Sequence, residues 1–136
     1  MRNVQIAIRD RAYADALRHL LMADGQHQVY VVESPNPHID GVVVVDETTA
    51  TQTRLSLEFD IGRCVVFTRE VPIQANQLWE AGIRHVIHAD YAPHMGCLVV
   101  LAAERRFIGF SVIEQDLSVF DETDRLFLQE LRISAS

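Results

Sequence analysis

Apolar residues recur along this chain in two rhythms, short β-branched runs and longer stretches with helical spacing. Residues 4–8 alternate loosely and end in Arg9-Asp10, which predicts a first strand. Over 11–24, Tyr13, Leu17, Leu20 and Leu21 stand at i, i+4, i+7 and i+8, one face of a helix, and Gly25 follows as its C-cap. A second strand is predicted over 28–32. Pro35 and Pro37 forbid a helix over 33–40. Residues 41–46 form a continuous run typical of a strand buried on both faces. The polar stretch 47–61 is ambiguous, with a short helix expected around 54–59. Strands follow over 63–68 and 84–88, and between them Pro72 opens a helix running to Ala81 and closed by Gly82. Pro93 opens a last apolar helix that reaches about Arg105.

Short strands alternating with helices predict an α/β fold with a parallel sheet. In such sheets, function gathers at the carboxyl ends of the strands. The residues that fall there are Arg9 and Asp10, Asp46, Thr68 and Arg69, and then His88, Ala89 and Asp90.

Composition narrows the chemistry. The chain has 136 residues, 49% hydrophobic and 23% charged, as in a single soluble domain. The apolar runs, 42–45 among them, are far too short for a bilayer, and the first residues lack a signal peptide's apolar stretch, so a cytoplasmic location is expected. A net charge of −7 argues against a nucleic-acid surface. Cys64 and Cys97 form no metal motif and suit a reducing compartment. All 12 basic residues other than histidine are arginine; without lysine there is no P-loop and no Schiff-base chemistry.

The strand ends resemble the receiver domain of bacterial response regulators, the CheY-like fold. The family's first strand ends in two acids that hold Mg²⁺; here the pair is Arg9-Asp10. Its third strand ends in the phospho-accepting aspartate, which Val42-Val43-Val44-Val45-Asp46 matches. Thr68 matches the hydroxyl residue at the end of strand four, and Ala81-Gly82 the pair before strand five. Ala89-Asp90-Tyr91-Ala92-Pro93 is similar to the Lys-Asp-x-x-Pro of LuxR-type (NarL-like) regulators, with Ala89 at the lysine's position. The segments 103–108 and 120–131 resemble that branch's linker and the first helix of its DNA-binding domain. The resemblance implies a five-stranded parallel sheet in order 2-1-3-4-5 within a three-layer, flavodoxin-like sandwich. It also implies a receiver-like domain over 1–106, followed over 107–136 by a linker and short helix.

This sequence departs from the pattern where the family does its chemistry. Arg9 replaces an acid, Ala89 replaces the lysine, and 33–40 replace the helix between strands two and three. Fully extended, those eight residues span roughly 27 Å at about 3.4 Å each, enough to cross one strand. Receiver phosphorylation is an in-line displacement by a carboxylate, with the metal and the lysine neutralising the equatorial oxygens. Of the acids, Asp10 and Asp46 remain. Arg9 has three readings: it pairs with Asp46 in the metal's place, it binds a phosphoryl oxygen in the lysine's place, or it points to solvent. Asp46 could equally be a turn former or N-cap, and Thr68 a plain strand residue.

The expectation that follows is a degenerate receiver, a pseudo-receiver signalling module that acts through protein–protein contacts without phosphorylation, without a cofactor and without enzymatic activity. The alternative is a phospho-accepting receiver of a two-component system controlling transcription, with Asp46 as acceptor, Mg²⁺ as cofactor and a histidine kinase as partner. A small α/β enzyme using Asp10, Asp46 and Thr68 is a third reading, with nothing further behind it. DNA binding by these residues is not expected, because no recognition helix follows the segment 120–131. His85 and His88 lie three apart on one strand and face opposite sides, so no histidine metal site is expected. Trp79 reads as a packing residue. The helix over 93–105 is apolar all round at 97–103, and Val99, Val100 and Ala103 call for cover beyond the sheet. The segment 107–131 could supply it in the same chain, or a homodimer could form through this helix and the C-terminal segment.

Overall fold

The computed structural model describes residues 2–23, 25–47, 59–69 and 82–105, together with Glu122, Arg125 and Leu126. Five strands, β1 (Arg2–Ala7), β2 (His27–Val31), β3 (Val42–Asp46), β4 (Cys64–Thr68) and β5 (His85–His88), form one parallel sheet in the order 2-1-3-4-5. Two helices are described, α1 (Arg11–Met22) and α2 (Pro93–Glu104). This is the α/β, CheY-like arrangement the sequence predicts. The helices expected over 54–59 (Phe59 apart) and 72–81, the linker from 107 and most of 120–131 lie outside the described residues.

Strand alternation divides the core in two. Val4, Ile6, Val42, Val44, Val65, Phe67 and Ile87 face one side, where α1 and α2 cover them with Leu17, Leu21, Leu98 and Leu101. Ala7, Val43, Val45, Cys64 and Val66 face the other, with Phe59, Ile61 and Ile83 packed on them. β3 is buried on both sides, as its unbroken valine run predicts. β1 begins earlier than its apolar pattern, because Arg2 and Asn3 pair with His27 and Gln28 through backbone alone. α1 ends at Ala23, and Gly25 follows two residues on with φ +70, its N–H on the Met22 carbonyl, rather than serving as the cap itself.

β2 and β3 lie on either side of β1, so 32–41 must cross it. No helix forms over 33–40. The crossing is held by Gln5, whose side chain is buried on the second face of β1. Its Nε2 donates to the Asn36 carbonyl at 2.9 Å and its Oε1 accepts from the Asn36 N–H at 2.8 Å. A carboxamide suits this place because the neighbour it meets is backbone. The loop enters β3 through Gly41, at φ +132, where a Cβ would lie 2.1 Å from the Asn3 carbonyl oxygen.

α2 is buried along its whole middle. All of Gly96 to Ala103 are buried within the single chain, Val99, Val100 and Ala103 included. Of the two kinds of cover expected from the sequence, cover within the same chain accounts for this burial. The carboxyl end of α2 is tied down by charge: Glu104 accepts from Arg2 Nη1 at 3.2 Å and lies 2.8 Å from Nε2 of the buried His27. Those partners offset an acid placed at the unfavourable end of a helix dipole. Among the described residues, no helix is long and apolar enough to cross a membrane.

Candidate functional site

The carboxyl ends of β1, β3, β4 and β5 converge, and a connected set of polar contacts joins them. β1 hands over to α1 at Asp10, which has extended backbone angles and caps the helix: its Oδ1 accepts from the Tyr13 N–H at 3.1 Å. Its other oxygen, Oδ2, accepts from Arg69 Nη2 at 2.8 Å, across the sheet from the residue after β4. Asp46, the last residue of β3, accepts at Oδ2 from the Arg9 backbone N–H at 3.1 Å. Thr68, the buried last residue of β4, donates its hydroxyl to Glu47 Oε1. The Ala89 N–H, just past β5, donates to the Thr68 carbonyl at 2.8 Å.

Asp10, Asp46, Thr68 and Ala89 therefore stand at matching strand ends, as read from the sequence. Of the three readings of Arg9, the structure fits the last: its side chain is exposed, and its backbone is what reaches Asp46. The arginine that enters the cluster is Arg69. Glu47, the residue after the acceptor-like aspartate, takes the threonine hydroxyl. Sequence reasoning placed Arg69 at a strand end without giving it a role and passed over Glu47. An arginine next to Thr68 in a chain without lysine was the available signal for the first.

Ala89 brings no charge to the cluster; its methyl is half-buried against the α2 side of the core, with Tyr91 and Met95. Below the cluster, the Tyr13 ring stacks at a tilt on Phe67, with centroids 4.8 Å apart. Burial pushes the Tyr13 phenol far above its ordinary range, and the nearby Cys97 and Asp10 add to the shift. Its hydroxyl is buried, with no hydrogen-bond partner among the described residues. His85 and His88 alternate across β5 as expected, and the His88 Nδ1 accepts from the Asp90 N–H at 3.2 Å.

Mg²⁺ requires near-octahedral oxygen donors, usually with two or more carboxylates free to turn toward it. Here both oxygens of Asp10 are already engaged, one by a helix N–H and one by a guanidinium. One oxygen of Asp46 is held by backbone, and the residue before Asp10 is an arginine, not a further acid. These residues do not fit the ion. Among the described residues, no three His, Cys, Asp or Glu side chains converge as ligands would. No protein family matches the chain's sequence, and no curated protein matches it.

Proposed function

We propose that this chain is a degenerate receiver: a signalling module that has kept the sheet and the strand-end aspartates of a response-regulator receiver and works through protein–protein contacts without phosphorylation. The observation that carries the reading is the ion pair between Arg69 and Asp10. A working receiver holds a metal on its acids and a lysine beside them, and both neutralise charge that develops on the phosphoryl oxygens. Here a side chain of the protein already neutralises Asp10, and no lysine exists to complete the set. Thr68 is engaged by Glu47, so the hydroxyl that would turn toward a phosphoryl group has an acceptor inside the fold. Asp10 is thus neutralised without an added ion, which supports a fixed surface more than a switch.

A second reading keeps Asp46 as a phosphoacceptor for a histidine kinase. It is favoured by one feature, the place of Asp46 at the end of the central strand beside Phe67 and one step from Thr68. Titration with Mg²⁺, followed by amide chemical shifts, separates the two. The degenerate reading expects no saturable change at residues 9, 10, 46 and 68 at millimolar Mg²⁺. A saturable change confined to those residues supports the second reading.

A further inference from the structure

At the opposite end of the sheet, the amino ends of β1, β3 and β4 and the carboxyl end of α2 border an open cavity of about 300 Å³. That lies at the lower limit of volumes that hold small metabolites. Arg2, Arg63 and Arg105 line it, facing Asp40 and Glu104. We propose that this cavity binds a small oxyanion, a phosphate- or carboxylate-bearing ligand, and that the ligand clamps together the elements that meet there.

Three guanidinium groups and two carboxylates line this hollow, in a chain whose net charge is −7. The two acids do not block it equally. Glu104 is occupied from inside the fold: Arg2 holds one of its oxygens and the buried His27 the other. Asp40 meets Arg63 Nη1 at 3.3 Å, but its carboxylate is 96% exposed, and such a pair is weak enough for a bound anion to replace. Arg63 also carries an unmet demand, since its Nε is buried with no hydrogen-bond partner. Guanidinium groups present planar forks of donors that match the oxygens of phosphate and carboxylate groups. The ligand would join the start of β1, the turn before β4 and the end of α2, so its binding stabilises the native state by linkage. The inference does not depend on the receiver reading, because none of these residues belongs to the strand-end cluster.

The test uses the whole chain and two probes, pyrophosphate and succinate, titrated calorimetrically at constant ionic strength set with sodium chloride. Saturable one-site binding of either probe is expected, and the tighter of the two identifies the ligand as phosphoryl or dicarboxylate. Arg63→Gln and Arg105→Gln should each weaken it about tenfold or more, while Arg18→Gln, on the exposed side of α1, should leave it unchanged. Should the cavity variants fail to fold, amide shifts of the unmodified protein serve instead: the expected changes centre on residues 41, 42, 63 and 105. No saturable binding of either probe, binding unaltered in folded Arg63→Gln and Arg105→Gln, or shifts centred on residues 9, 10 and 69 would overturn the proposal.

Discussion

Arg69 Nη2 stands 2.8 Å from Asp10 Oδ2, while Asp10 Oδ1 accepts the Tyr13 N–H that opens α1. One aspartate thus does two jobs, helix cap and ion-pair partner, and the two separate by substitution. Asn caps as well as Asp, so Asp10→Asn should cost only a few tenths of a kcal/mol, whereas Asp10→Ala should cost about 1 kcal/mol. The pair contributes little to either value because Arg69 is 68% exposed. Urea unfolding of both variants measures the difference. Equal losses would show that the cap is not what Asp10 supplies.

The carboxamide of Gln5 and the backbone of Asn36 hold the crossover over β1. Gln5→Leu keeps the volume and removes both bonds, leaving the Asn36 groups to find water. We expect a loss of about 1–2 kcal/mol and faster protease cleavage within 33–40. His38→Ala, on the exposed part of the same loop, should change neither.

Two glycines should respond very differently to alanine. At Gly41 the new Cβ would lie 2.1 Å from backbone, in a conformation L residues rarely adopt, and the cost should be on the order of 3–5 kcal/mol. At Gly25 the φ is +70 but nothing lies within 4 Å, so about 1 kcal/mol is expected. Thermal unfolding of the two variants side by side tests the ranking.

Burial pushes the Cys64 thiol up to about 11 from 9.0, with Asp60 adding to the shift. A raised folded-state pKa contributes stability that is intact below the unfolded value and lost as pH rises through the folded one. Stability should therefore fall between about pH 9 and pH 11, and Cys64→Ser should flatten that decline. With Cys97 buried as well, neither thiol should react with an aromatic disulfide at pH 8 until the chain unfolds. Rapid modification of one thiol in the native protein would contradict the buried placement.

The sheet was legible from the chain because β3 is an unbroken valine run, because short apolar stretches mark the other strands, and because Pro35 and Pro37 leave no helix between β2 and β3. Asp10, Asp46 and Thr68 were legible for a related reason: each stands at or just past the end of an apolar run, where a parallel sheet collects its ends. Arg69 and Gln5 were not. Their partners are 59 and 31 residues away, and which neighbour a long side chain reaches depends on strand order and side-chain length, not on local pattern. α2 shows the same limit from another side. Its lack of an apolar stripe says that every face is covered, but not by which part of which chain.

Arg69 of the chain itself neutralises Asp10, and on the degenerate reading the strand-end cluster should accept no phosphoryl group. The most direct measurement is the intact mass of the protein after incubation with phosphoramidate or acetyl phosphate and Mg²⁺, in parallel with Asp46→Asn. The mass should stay unchanged for both. A gain of one phosphoryl group in the unmodified chain, absent from Asp46→Asn, would contradict it.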